Sequence, residues 1–246
     1  MSDKHGSNME NVLSSQIKYW KQQKTDIEAR AEILPEKKQN RFPFITISRE
    51  YGCGGYDIAA ALVEFLNDGR SLKPEWAAYD RVVLEKISSD MGLSEQLTDT
   101  LTSSSRKQVT SFFETTFASY PSQLSVYRHL SETIRTLAAN GRVIIVGRGG
   151  GIITRDMPKG FNVRVVAPVE WKAERMASIN SIKKADAEKL VIKKNAEREK
   201  FFRDLVKFDI ASPYNYHLVL NNQSYSTRDA ARIIYEAFVS YTENHL

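Results

Sequence analysis

The sequence predicts an α/β fold built on a parallel sheet. Short β-branched or apolar runs alternate with longer stretches of helical periodicity, and two of those runs end in glycine-rich loops. The residue balance is that of a globular protein: 35 Lys+Arg against 30 Asp+Glu gives +5 on 246 residues, with 41% hydrophobic and 26% charged. It excludes collagen, a disordered chain and a mucin-like stalk. One core serves up to roughly 250–300 residues, so the length suits one large domain, or one domain with an appendage.

Taken in order, residues 1–41 are polar, with eight Lys/Arg, six Asp/Glu and no convincing core. Val12, Ile17, Trp20, Ile27 and Ala31 recur at near-helical intervals. The segment reads either as an amphipathic helix for a partner or a second copy, or as a frayed extension. Pro35 and Pro43 bracket a linker, and the domain proper runs over 42–246. Phe44-Ile45-Thr46-Ile47 is a strand ending in the loop Ser48-Arg49-Glu50-Tyr51-Gly52-Cys53-Gly54-Gly55, and Ile58, Ala59, Leu62, Val63 and Leu66 then mark a helix. Residues 76–79 form a second short strand, followed by Asp80, Arg81 and a helical pattern at Val82, Val83 and Ile87. Residues 92–140 read as mostly helical and stop at Asn140-Gly141. The run 142–146 is a strand covered on both faces, leading into a second loop, Gly147-Arg148-Gly149-Gly150-Gly151. Residues 162–167 form a strand stopped by Pro168, 169–207 a long helix or a broken pair, and 216–220 the last strand. Thr227 caps a final helix that reaches at least Phe238.

The excess positive charge is interleaved with carboxylates, as in Glu188, Lys189, Lys194, Glu197 and Arg198. No zinc module or RNA-binding aromatic signature accompanies it, so no specific nucleic-acid binding is expected. Cys53 is the sole cysteine, which excludes an intrachain disulfide and fits a reducing compartment. The longest apolar run, 58–63, has six residues, against the roughly 20 of a membrane span. No apolar h-region follows Met1. The chain reads as cytoplasmic and not membrane-associated.

Ligands of open α/β sheets bind beyond the carboxyl ends of strands, where both glycine loops lie. Gly52, Gly54 and Gly55 let backbone amides approach an anion, and a helix opening near Tyr56 adds aligned N–H groups. This is a phosphate cradle in outline, or a plain tight turn. A dinucleotide fingerprint fails in both loops, with Asp57 and Ile152 where its third glycine belongs. A Walker-type loop fails because Gly54 is followed by Gly55 and Tyr56 rather than Lys and Ser/Thr.

The segments Ile45-Thr46-Ile47-Ser48-Arg49-Glu50-Tyr51-Gly52-Cys53-Gly54-Gly55, Val146-Gly147-Arg148 and Tyr214-Asn215-Tyr216-His217-Leu218-Val219-Leu220-Asn221 resemble, in that order, the cytidylate kinase-like family, relatives of the P-loop nucleoside monophosphate kinases. The resemblance implies a P-loop kinase-like three-layer sandwich with a five-stranded parallel sheet, helical acceptor-binding regions and an arginine-bearing lid. It implies an ATP-dependent phosphotransferase that uses ATP and Mg2+ and moves the γ-phosphate to a nucleoside monophosphate-like acceptor. Carried onto this chain, it has Gly52, Cys53, Gly54, Gly55, Tyr56 and Arg175 hold the donor, and Arg148, Asp80 and Arg81 hold the acceptor. Arg198 and Arg203 come from the lid. Taken singly, Arg148 also reads as a strand-end arginine paired with a carboxylate, and the lid arginines as a solvated helix face.

The chain departs from authentic cytidylate kinases at several of these positions. Their P-loop lysine is Gly55 here, and their magnesium-binding hydroxyl is Tyr56, or Asp57 if the register slips. Their cytosine-reading carboxylates are Val146 and Gly149. Arg49 can stand in for the missing cation, and Asp57 can hold magnesium through water. Cys53, beside a helix N-terminus, is a redox-sensitive thiol or a small loop-filling residue. Two functions are therefore expected. One is a kinase with Arg49, Arg198 and Arg203 as its catalytic cations; the other is a weak or inactive nucleotide-binding sensor or scaffold that lacks the P-loop lysine.

Overall fold

The computed structural model describes residues 3–30, 42–101, 107, 125–205 and 207–245. Five strands, β1 (Phe44–Arg49), β2 (Ala77–Tyr79), β3 (Val143–Val146), β4 (Gly160–Val166) and β5 (Leu218–Asn221), form one sheet in the order β2-β3-β1-β4-β5. Every pairing is parallel, with Ile45 opposite Ile144 on one side and Phe161 on the other. The helices are α1 (Asp3–Arg30), α2 (Gly55–Asn67), α3 (Arg81–Ser89), α4 (Met91–Thr98), α5 (Ser125–Asn140), α6 (Gly150–Ile153), α7 (Val169–Asn180), α8 (Lys184–Leu205) and α9 (Thr227–His245).

The two-residue period of the strands sorts apolar side chains to two faces. Ile45, Ile47, Ile144, Val146, Val163 and Val165 pack with Ile58 and Leu62 of α2 and Ile234 and Phe238 of α9. Phe44, Ala77, Tyr79, Val143 and Ile145 pack with Leu84 and Ile87 of α3 and Ile134 and Leu137 of α5. The result is the expected three-layer sandwich.

Local chemistry moves some boundaries. Asp80 caps α3 by accepting from the Val83 amide at 3.0 Å. Starting from that cap, Leu84 and Ile87 face the core, while Val82 of the expected apolar pattern is 66% exposed. Ser226, not Thr227, caps α9, its hydroxyl accepting from the Asp229 amide at 3.1 Å. Of the expected 169–207 stretch, Val169–Asn180 and Lys184–Leu205 form a broken pair, interrupted where Ser181 adopts φ 54. Ala173 and Met176 of α7 close on Ala187 and Val191 of α8, making a helical hairpin with its own small core.

The first forty residues were expected to lack a core, yet α1 contributes to one. Leu13, Ile17 and Trp20, spaced four and three apart, are at most 4% exposed and join the cluster of Phe44, Tyr79 and Leu84. Gln16 donates to the Glu75 carbonyl at 2.8 Å and accepts from the Tyr79 hydroxyl. The expected spacing missed Leu13, which sits beside half-buried Val12. Ala31, Pro35 and most of the 99–124 region lie outside the described residues. Among the described residues, no helix is long and apolar enough to cross a membrane.

Candidate functional site

From β1 the chain proceeds toward one edge of the sheet and from β4 toward the other, so a crevice opens at the carboxyl ends of the two central strands. The first glycine loop lies there. Gly54 adopts the left-handed conformation (φ 67) and starts α2. Its N–H and that of Gly55 have no protein acceptor among the described residues. Asn222, after β5, donates to the Cys53 carbonyl at 3.0 Å. Glu50 accepts from the Ala167 amide at 3.3 Å and forms an ion pair with Lys172 of α7, with Arg164 of β4 at 3.9 Å. The Lys172 and Arg164 side chains are each 4% exposed, so the base of the loop is held by buried charge.

Arg49 is the side chain at the centre. Its stem crosses Gly55, where a Cβ would lie 2.9 Å from Arg49 Cγ. Its guanidinium fills the space left by the missing side chain of Gly147. Among the described residues it makes no hydrogen bond or ion pair. Burial, then the charges of Arg198 and Arg148, lower its pKa to about 10, against an opposing pull from Asp80 and Cys53. Arg198 of α8 donates to the Arg49 carbonyl at 2.5 Å, and Asn195, one turn earlier, accepts from the Tyr51 amide at 2.7 Å. Together they clamp α8 across the root of the loop. Burial, then Arg164, lowers the Arg198 pKa as well.

Beside the loop lies a cavity of about 1410 Å³. Six lining residues are cationic, Arg49, Arg81, Lys86, Arg148, Lys194 and Arg198, against two carboxylates, Glu85 and Glu197. Lys86 pairs with Glu10, and Lys194 with Glu197. Glu85 serves both Arg148 and Arg81. Arg49 and Arg198 are left with no ion-pair partner among the described residues. Phe201, Phe202, Phe208 and Tyr216 supply an apolar wall. Arg148 holds φ 50, a left-handed conformation that a residue with a Cβ adopts only at a cost. Its buried Nε has no hydrogen-bond partner among the described residues, and burial, then Arg81, lowers its pKa.

The structure therefore brings together Arg49, Arg81, Arg148 and Arg198 on one cavity wall. Gly52, Cys53, Gly54, Gly55, Tyr56 and Asp57 form the adjoining loop and do not line that cavity. Arg175 of α7 lies over Gly54, with Nη2 3.1 Å from where a Cβ would stand, and pairs with Asp57. The carboxylate of Asp80 is occupied in capping α3. Burial, then Asp80 and Asp57, raises the Tyr56 hydroxyl pKa. Arg203 stands apart: it is 71% exposed, 3.7 Å from Asp204. Five residues beyond Arg198, it projects well round the helix from it. Cys53 is fully buried and its thiol is pushed up to about 11, by burial and then Glu50, which makes it a loop-filling residue and not a reactive thiolate.

Among the described residues no three His, Cys, Asp or Glu side chains converge on a metal site. Magnesium in kinase sites takes one or two carboxylates plus substrate phosphates; Asp57, the carboxylate expected in that role, is paired here with Arg175.

Several contributors went unforeseen. Arg164 is a cation between Val163 and Val165 in a covered strand, a position where an unpaired charge is costly, and that was its signal. Glu85 stands four residues after Arg81. Lys172 and Asn195 gave none, because on mixed-charge helices nothing local marks the one that faces inward.

The sequence model of the cytidylate kinase-like family matches residues 44–224. No curated protein matches the chain. A crystal structure of an uncharacterized protein from Eubacterium ventriosum superposes with a TM-score of 0.61 at 20% identity, covering 82% of this chain and 99% of that one. Shikimate kinase from Bacteroides thetaiotaomicron gives 0.46 at 13% identity, covering 82% and 98%. Shikimate kinase from Acinetobacter baumannii, in complex with shikimate, gives 0.41 at 13%, covering 82% and 96%. The match spans well over half of the sequence and includes both glycine loops: the chain belongs to the cytidylate kinase-like family.

Proposed function

We propose that this protein is an ATP-dependent phosphotransferase that moves the γ-phosphate of ATP to a nucleoside monophosphate-like acceptor. The observation that carries the reading is the pair Arg49 and Arg198, half-buried beside the loop and, among the described residues, without an ion-pair partner. Buried charge of one sign is costly unless a ligand of the other sign completes it. A triphosphate does so.

In this reading the amides of Gly54 and Gly55, with Arg175, hold the donor phosphates, while Arg49 and Arg198 face the migrating group. Arg148 holds the acceptor's anion, with Arg81 beside it. An acceptor oxygen forms the new bond to the γ-phosphorus as the bond to the β–γ bridging oxygen breaks, and ADP leaves with that electron pair. The attacking oxygen belongs to a phosphate monoester, largely unprotonated at neutral pH, so no proton has to leave it. Asp57 would hold magnesium through water, and the ion supplies further neutralisation of phosphate charge. Positioning and charge neutralisation account for most of phosphoryl transfer, so loss of one such cation costs on the order of 10²–10³ in rate.

A coupled ADP-release assay over ribo- and deoxynucleoside monophosphates tests this. Turnover that disappears in Arg49→Ala and Arg148→Ala supports it. A second reading, a nucleotide sensor that does not turn over, is favoured by one observation: no ammonium group stands at Gly55. ATP binding without turnover of any acceptor selects it, and no nucleotide binding defeats both.

A further inference from the structure

Glu85 occupies an unusual position in the cavity. It projects from α3 between two guanidinium groups, one carboxylate oxygen on Arg148 and the other on Arg81 Nε at 3.3 Å. The other carboxylate in the lining, Glu197, is held by Lys194 on its own helix, and Glu85's neighbour Lys86 turns away to Glu10. Arg148 has a buried Nε, and its side chain is 32% exposed. Glu85, in contrast, has a side chain 45% exposed at an ordinary helical position. The carboxylate is therefore the part of this pair that is free to move.

We propose that Glu85 is a resident anion of the acceptor site, which the acceptor's own anion displaces from Arg148. This rests on the reading of the cavity as the acceptor site and adds the class of anion it takes. A free carboxylate would replace a carboxylate already tethered in place; it offers the same hydrogen bonds and gives up its translational freedom, so it gains nothing. A phosphate monoester brings a charge of about −1.5 to −2 and three acceptor oxygens, and so gains on the exchange. Glu85 keeps Arg81, four residues away on the same helix, when the phosphate takes its place on Arg148. The displacement then breaks one ion pair, not two. Glu85 acts as a threshold that phosphate esters pass and carboxylates do not.

Calorimetric titration of the full chain at pH 8 with inorganic phosphate and with acetate tests this in wild type, Glu85→Gln, Arg148→Ala and the double variant. Glu85→Gln is expected to tighten phosphate binding by about tenfold or more and to make acetate binding detectable, since a nearby charge is worth on the order of kilocalories at a protein surface. If Glu85 only moors Arg148, Glu85→Gln weakens phosphate binding; that result, an unchanged constant, or no binding by either protein overturns the proposal. Phosphate binding that survives Arg148→Ala in both backgrounds overturns the acceptor-site reading instead. The exposed pair contributes little to folding, and melting curves of all four proteins verify that.

Discussion

The stem of Arg49 lies over Gly55, so the cation reaching the first glycine loop comes from the end of β1 rather than from the start of α2. A lysine at position 55 and an arginine at position 49 would claim the same space. Gly55→Lys alone is therefore expected to weaken binding of a magnesium–ATP analogue by about tenfold, roughly the loss of one charge-assisted contact. In the Arg49→Ala background the same Gly55→Lys change is expected to strengthen it. Titration calorimetry of the four proteins reads this reversal of sign.

The ion pair of Lys172 with Glu50 braces the loop from below. Lys172→Met leaves a largely buried carboxylate with Arg164 as its remaining ion-pair partner among the described residues, and is expected to cost about 3 kcal/mol of stability, the low end for breaking a buried pair. Adding Glu50→Gln is expected to cost less than the sum of the two single changes. Denaturant unfolding of the double-mutant cycle measures both.

The Cys53 thiol, pushed up from 9.0 to about 11, gives a pH prediction with a definite sign. Between those two values the unfolded chain has released the proton and the folded chain has not. The stability this thiol contributes is therefore complete below pH 9.0 and is lost as pH rises toward about 11. At pH 8 a thiol reagent is expected to leave the native protein unlabelled and to label it rapidly in guanidinium. Rapid labelling of the native protein at pH 8 would show an open loop.

Trp20 on α1 is 1% exposed against the second core. Trp20→Ala is expected to cost about 3–5 kcal/mol, as for other buried aromatic truncations. A melting temperature equal to that of wild type would show that α1 does not dock in solution.

The sheet was legible because its signals are local. β-branched runs such as 44–47 and 143–146 form the strands, and the glycines that end them mark the loops. The packing of α1 was not, because its three core residues lie among many charges and gain their meaning only against Phe44 and Tyr79. Within the site, the loop glycines and Arg148 carried recognisable spacing. The brace of Lys172, Glu50 and Arg164 depends on residues more than a hundred positions apart, which no local pattern encodes. Arg203 shows the reverse: it sits in the expected lid helix, but the helical turn carries it away from Arg198.

In the proposed reaction Arg49, from the end of β1, replaces the absent loop lysine in holding the donor's phosphates. Titration of a non-hydrolysable ATP analogue with magnesium into wild type, Arg49→Ala and Arg232→Ala, a surface control on α9, tests it most directly. The account predicts binding by wild type and Arg232→Ala, with Arg49→Ala weaker by about tenfold or more. Equal affinity in Arg49→Ala and wild type would contradict it.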